Sequence, residues 1–177
     1  MTRGNRLATA WAVAALCALG VAIVPGAEAG SLKAKVYLIQ HKVPSSGTEQ
    51  ALLAFARKNF TLRLTENTDA DVKTRKWKAS MLVSFNQPIG DTEFQTLFYD
   101  VHEGPRRFVD DMAIFVSNRT EKTFVQSVTL KRPEFKPNHY HELVVTVRRA
   151  EVGKQKFAVV GQEIARSGKV DFSDEGQ

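Results

Sequence analysis

Apolar and polar residues alternate with a period of two along most of the sequence from residue 33 onward. Residues 77–85 show the pattern most clearly, with apolar side chains at Trp77, Ala79, Met81, Val83 and Phe85. Successive side chains of a strand point to opposite faces of its sheet, so this pattern gives one apolar and one polar face. The chain is therefore predicted to be mainly β, with sheets that bury one side.

Strand-like segments recur at short intervals, and most of the connections between them are short and polar. The predicted strands are residues 33–41, 60–65, 77–85, 93–102, 107–117, 122–131, 141–149 and 154–162. Short connections favour antiparallel neighbours. Seven or eight such strands favour a β-sandwich over a doubly wound fold, which needs many more helices.

One segment, from Ser46 to Asn59, has a helical pattern instead. Ser46 and Glu49 have the spacing of a capping box, in which two side chains satisfy backbone N–H groups at the helix start. Apolar residues then recur at helical spacing, at Ala51, Leu52, Phe55 and Ala56. The sandwich is therefore predicted to carry one short helix.

The C-terminal part of the predicted sandwich has a more specific pattern. Pro137 and Tyr140 lead into the alternating residues 141–149, and a turn around residues 151–153 precedes the closing strand. This order resembles the last two strands of immunoglobulin-like and fibronectin-like sandwiches, in which a tyrosine closes a corner with its hydroxyl. The resemblance implies an immunoglobulin-like architecture without the paired cysteines of true immunoglobulin domains, and it carries over no functional residue.

The first 29 residues have the organisation of a secretory signal peptide. Arg3 and Arg6 precede an apolar run over residues 7–24, and Ala27 and Ala29 suit the small-residue positions of a signal peptidase site. We therefore expect cleavage after residue 29 and export of the rest of the chain to the periplasm or beyond.

The alternative is an uncleaved N-terminal anchor, because the apolar run is almost long enough to span a bilayer. Gly20 and Pro25 weaken a permanent spanning helix, and no basic or aromatic belt follows the run. Lipidation of Cys17 is not expected, because the large Leu16 stands where a lipoprotein signal has a small residue. Cys17 is expected to leave with the signal peptide.

Cleavage would leave 148 of the 177 residues, with no cysteine among them. Disulfides and thiolate chemistry are then excluded, and stability must come from an ordinary core. We predict one sandwich domain over residues 30–165 and a flexible tail over residues 166–177, whose pattern has no sustained apolar period. An exported chain without cysteine is typical of a bacterial envelope protein.

The formal net charge is +6, and removal of the signal peptide, which carries one net positive charge, lowers it to +5. This excess is mild and its basic residues are scattered, so nucleic-acid binding is not expected. No glycine-rich phosphate loop is present, and no cofactor is predicted. Protein partners or anionic envelope polymers suit the composition better.

His139 and His141 are candidate metal ligands, because residues two apart on a strand project to the same face and two imidazoles can share zinc or copper. His41, His102 and Glu103 are possible additional ligands. The alternative is that both histidines are solvated residues at the rim of a strand.

Four acids lie close together in sequence: Asp100, Glu103, Asp110 and Asp111. They raise the hypothesis of a hydrolase that acts on envelope polymers. Adjacent residues on a strand face opposite ways, so Asp110 and Asp111 do not converge easily, and an ion pair with Arg106 or Arg107 is the favoured alternative. No nucleophilic serine motif accompanies them.

Exposed aromatic rings beside basic groups are typical of surfaces that bind proteins or glycans. Trp77 lies between Lys76 and Lys78, and Arg106 and Arg107 form a second basic pair, so these five residues are the predicted partner-binding site. The alternative is that the rings are covered, by the opposite sheet and by the helix.

The leading hypothesis from the sequence is a non-enzymatic, exported binding or structural module, an accessory component of a bacterial cell-envelope assembly. A periplasmic metal-binding protein that uses the two histidines, and a hydrolase of envelope polymers, are the alternatives.

Overall fold

The structure is a computed structural model that describes residues 31–44, 47–68 and 71–163. Its strands are β1 (Ala34–Ile39), β2 (Arg63–Thr65), β3 (Lys76–Phe85), β4 (Glu93–Asp100), β5 (Arg107–Phe115), β6 (Thr123–Lys131), β7 (Tyr140–Val147) and β8 (Ala150–Val160). Helix α1 spans Glu49–Asn59, and a 3₁₀ turn spans Val72–Thr74. The predicted signal peptide, Ser46 and the predicted tail lie outside the described residues.

Two sheets form a β-sandwich, as the alternating pattern predicts. One sheet has the order β1-β3-β6 and the other has the order β2-β8-β7-β4-β5. Neighbouring strands are antiparallel, except that β2 runs parallel to β8. This is an exception to the predicted antiparallel arrangement, and it concerns a strand of three residues that follows helix α1 rather than a short polar connection.

The core lies between the inner faces of the two sheets. The alternating apolar residues of β3 all face it, and they pack against Phe94 and Phe98 of β4, Leu143 and Val145 of β7, and Phe157 of β8. Rings meet edge to face within this core, with centroids 5.3 Å apart for Phe85 and Phe94. Burial of these large side chains is the main stabilising contribution to the fold.

Helix α1 covers part of the outer face of the three-stranded sheet. It buries Ala56 against Ile39 and Leu82, which lie on that outer face. The face that the sequence predicts to be polar is therefore half covered by the helix, which explains why Leu82 stands among polar neighbours. The observed N-cap is Thr48, whose hydroxyl accepts a hydrogen bond from the Ala51 N–H at 3.3 Å, rather than the predicted Ser46.

The hairpin between β7 and β8 is present, but its turn lies earlier than predicted. Arg148 and Arg149 form a two-residue turn with φ of 51° and 66°, whereas the sequence pointed to residues 151–153. Arginine is a rare choice for left-handed backbone, so the sequence carries no turn signal there. Gly153 instead lies within β8, where a Cβ would collide with the Ala34 carbonyl oxygen.

The expected tyrosine corner is absent among the described residues. Tyr140 is exposed, and its hydroxyl donates no hydrogen bond to a described residue. Its ring stacks near His102 instead, at a centroid distance of 5.8 Å. The residue that turns inward at this corner is His141. Among the described residues, no helix is long and apolar enough to cross a membrane.

Candidate functional site

One end of the sandwich gathers most of the candidate residues, because β3 and β5 begin there and β4 and β6 end there. Asp100 is the centre of its first network. The Asp100 carboxylate accepts hydrogen bonds from the His102 N–H at 2.9 Å, from Arg107 Nη2 at 2.9 Å and from His139 Nδ1 at 3.0 Å. Burial opposes ionisation, but these bonds outweigh it and lower the pKa of Asp100 to about 2.

His141 lies directly beneath this network and is completely buried. Its ring packs between Phe135 and Phe157, with centroids 5.1 and 5.6 Å away, and neither ring nitrogen has a hydrogen-bond partner. Burial lowers the pKa of His141 to about 4, although the charge of Asp100 acts in the opposite direction. The expectation that both histidines lie at a solvated rim is therefore wrong for His141.

The two predicted metal ligands have different environments in the structure. His139 precedes β7 and directs Nδ1 to Asp100, whereas His141 faces the core, and their ring centroids are 6.4 Å apart. His102 stacks on His139 at 4.2 Å. Within the described part of the chain, no group of three or more histidine, cysteine or acidic residues is arranged to hold a metal ion. The metal site stays a prediction.

The four acids of the hydrolase hypothesis are distributed along β4, β5 and the loop between them. Asp100 is buried in its network, whereas Glu103, Asp110 and Asp111 are exposed. The expected ion pair of one β5 aspartate with Arg106 or Arg107 does not form. Arg107 binds Asp100 instead, because the start of β5 lies opposite the end of β4.

Arg106 is also held within the chain. Its guanidinium bridges Glu142 and Glu151, and it lies 5.7 Å from the centroid of the Tyr99 ring. Glu142 is buried, so this pair is partly shielded from water. Both predicted partner-binding arginines therefore have internal structural partners, although each keeps an exposed fraction of its side chain.

Trp77 has no exposed surface, which corrects its expected role in contacting a partner. Its indole N–H donates to the Val160 carbonyl at 2.9 Å, and Arg132 stacks 5.3 Å from its ring centroid. The inward position follows from the same alternation that places the rest of β3 in the core. Among the described residues, the rings that are exposed in large part are Phe60, Phe108, Phe115 and Tyr140.

A second buried network, beside Trp77, was not anticipated from the sequence. The Glu66 carboxylate forms ion pairs with Arg132 and with Arg75, the latter at 3.0 Å. It also accepts a hydrogen bond from the Gln162 N–H at 2.8 Å. Burial favours the neutral acid, but these hydrogen bonds prevail and lower the pKa of Glu66. Its members lie in three loops that are distant in sequence, so no local motif could reveal it.

Strand β6 presents an open edge of the three-stranded sheet. It pairs with β3 over nine uninterrupted positions, and no described strand pairs with its other side. The Phe85 N–H donates to the Lys122 carbonyl at 2.8 Å, which sets the alternation of the ladder. Backbone groups of Val125, Ser127 and Thr129 consequently point away from β3, towards the open side.

The edge of β6 lacks the features that usually prevent strand addition. Residues 124–130 contain no charge, proline or glycine, and no bulge interrupts their register. Val125, Ser127 and Thr129 are also exposed on the outer face, beyond the part that α1 covers. Such an edge can accept a strand from another chain.

Strand β5, the exposed edge of the other sheet, is protected by comparison. A register shift interrupts its pairing with β4 near Val109. The Val116 N–H donates to the Thr92 carbonyl at 2.7 Å, so the outward backbone groups belong to Asp111, Ala113 and Phe115. A bulge and two adjacent aspartates are the features that discourage edge pairing.

Three lysines lie on the outer face where β3 begins and β6 ends. Lys76 stands directly opposite Lys131 in the ladder, and Lys78 is the next outward residue of β3. None of the three forms an ion pair with any residue in the described ranges. Like charges that face each other across a ladder are destabilising, so this group, the lysine cluster, is not explained by stability.

Comparisons with known proteins concern the fold. No protein-family model matches the sequence, and no curated protein matches it significantly. An immunoglobulin-like protein from Pseudomonas aeruginosa is similar, with a TM-score of 0.35 and 15% identity over 73% of this chain and 92% of that one. A putative beta-galactosidase from Bacteroides fragilis is also similar, with a TM-score of 0.33 and 14% identity. The matched region covers 57% of this chain and 16% of that protein. In fold, the chain is a β-sandwich of a three-stranded and a five-stranded sheet.

Proposed function

We propose that this protein is an exported, non-enzymatic binding module of a bacterial cell-envelope assembly, and that it accepts an extended segment of a protein partner at the β6 edge. The observation that supports this most is the contrast between the unprotected edge of β6 and the bulged, acidic edge of β5. Main-chain hydrogen bonds would supply much of the affinity.

The occupant is a partner protein rather than a second copy of this chain. Two copies paired antiparallel through β6 would bring the three lysines of one copy beside the other end of its neighbour's strand, where Glu49 and Glu121 are partly offset by Lys122. Positive charge would then outnumber negative charge at each contact. A partner segment with carboxylates can complement that charge. Of the predicted partner-binding residues, Lys76 and Lys78 belong to this surface.

The environment of Asp100 does not suit the general acid of a hydrolase. Asp100 has three hydrogen-bond donors and a lowered pKa, so it is ionised and cannot donate a proton near neutral pH. Glu66 is similarly engaged by two arginines. These carboxylates hold loops together.

A pair of matched variants tests the edge in living cells. A photoreactive benzoylphenylalanine replaces Ser127 on β6 or, as the control, Ala113 at the equivalent outward position of β5. Irradiation should give a discrete adduct with one envelope protein from position 127 and none from position 113. Equal labelling from both positions, or an adduct with a second copy of this chain, would contradict the proposal.

A second pair of variants tests the backbone hydrogen bonds themselves. Ser127→Pro removes an N–H that points away from β3, and Ala113→Pro does the same on β5. Both variants should fold, as circular dichroism can verify. Only Ser127→Pro should abolish the adduct, read from a photoreactive group placed at Val125 in both backgrounds. Export is tested separately by the intact mass of the exported protein, which should begin at Gly30.

A further inference from the structure

The chemistry of the lysine cluster narrows the kind of segment that β6 can accept. We propose that the added strand runs antiparallel to β6, is uncharged along its middle, and carries carboxylates at its N-terminal end, where they meet Lys76, Lys78 and Lys131. This inference rests on the proposed strand addition and specifies its partner.

The charge of the cluster is concentrated at one end of the edge. Lys78 and Lys131 are exposed and Lys76 is half-buried, and all three lie within two ladder positions of each other. Arg132, the next residue after β6, is bound to Glu66 and its side chain is only 6% exposed, so it contributes little to the exposed charge. The end of β6 therefore presents uncompensated positive charge beside the open backbone.

The opposite end of β6 has a mixed character. Thr123 donates its hydroxyl hydrogen to Glu49 at 2.7 Å, and Glu121 precedes Lys122 in the loop. Acidic and basic groups are both present there, so a carboxylate gains no comparable advantage. The asymmetry between the two ends gives an added strand a preferred direction.

The residues in the middle of the β6 edge determine which side chains the partner segment can carry along its centre. The outward side chains of Val125, Ser127 and Thr129 are small and uncharged. A charged residue placed beside them would find no opposite charge, whereas β-branched and hydroxyl side chains pack well across a ladder. Antiparallel addition continues the pattern of the three-stranded sheet and places the N-terminal end of the partner beside Lys131.

Three synthetic peptides test this inference with the mature chain. Each has the same alternating threonine and valine core and blocked termini: one begins with two glutamates, one ends with two glutamates, and one begins with two lysines. Fluorescence anisotropy in low salt should show that the first binds about fivefold more tightly than the second. The third should bind most weakly.

The controls distinguish the preference for charge and direction from strand addition itself. The preference should disappear in the double variant Lys78→Gln, Lys131→Gln, and in about 1 M salt, which screens exposed charges. If the three peptides bind equally, or the second binds best, and Ser127→Pro still abolishes binding, the inference about charge and direction is wrong while strand addition stands. If no peptide binds, or Ser127→Pro has no effect, strand addition itself is contradicted.

Discussion

Two groups of charges at the same end of the sandwich differ in what surrounds them. The buried carboxylates Asp100 and Glu66 are each surrounded by donors from loops that are distant in sequence. The lysine cluster forms no ion pair within the described residues, and Lys76 and Lys131 face each other across the ladder. Buried carboxylates that are fully paired maintain the fold, whereas unpaired lysines beside an open edge are available to a partner. The comparison predicts that changes in the first group alter stability and that changes in the second alter binding.

The largest effect on stability is expected from Glu66→Gln. This variant keeps the shape of the side chain but leaves Arg132, whose side chain is 6% exposed, without its counter-charge. Removal of one partner of a buried ion pair costs about 3 kcal/mol. Urea unfolding of residues 30–177, followed by the fluorescence of Trp77, measures this loss. A loss below about 1 kcal/mol would show that the network does not maintain the fold.

The next effect concerns Asp100 and acidic pH. The pKa of Asp100 is about 2 in the folded chain and about 3.9 in an unfolded one, so its stabilising contribution is present above pH 4 and is lost as the pH falls towards 2. Asp100→Asn should therefore lower the free energy of unfolding by about 2 kcal/mol at pH 7. The variant should also show a weaker dependence of stability on pH between 4 and 2, and an unchanged dependence would contradict the assignment.

A smaller effect of opposite sign is expected from His141→Leu. The pKa of His141 is about 4 in the folded chain and about 6.5 when unfolded, so the neutral ring stabilises the fold above pH 6.5 and this contribution is lost as the pH falls towards 4. Relative to the unsubstituted chain, the variant should gain about 1.4 kcal/mol between pH 7.5 and pH 5.5. Thermal unfolding at the two pH values measures the gain. If the stability of both proteins changed equally between the two pH values, this role of His141 would be refuted.

The smallest effect on stability is expected from Lys131→Gln, which changes the lysine cluster rather than a buried carboxylate. Removal of one of two facing lysines should raise the free energy of unfolding slightly, by less than about 0.5 kcal/mol. The same change should weaken the binding of the peptide that begins with two glutamates. Urea unfolding and anisotropy on the same preparation provide both values. A clear destabilisation without weaker binding would show that the lysine cluster stabilises the fold and does not bind the peptide.

The fold could be predicted from the sequence to a large extent because it depends on local periodicity. Strand β3 and helix α1 have unambiguous periods of two and about four, and both are present. The turn at Arg148 and the parallel pairing of β2 escaped prediction, since the first has no turn residue and the second depends on where a short segment docks.

The candidate site was less predictable, because its parts come from separate strands and loops. The side of β3 that carries Trp77 follows from the alternation, which already places it in the core. Which strands lie at the edges of the sheets depends on the pairing order, and that order is not encoded in any single segment. The lysine cluster was therefore recognisable only in part, through Lys76 and Lys78, until the register brought Lys131 beside them.

The most direct test of strand addition at β6 is amide hydrogen exchange of residues 30–177 with and without the glutamate-first peptide. The outward amides of Val125, Ser127 and Thr129 should become protected when the peptide is bound, while those of Asp111 and Ala113 on β5 should not change. Protection at the β5 amides, or unchanged exchange along β6 with the peptide bound, would contradict it.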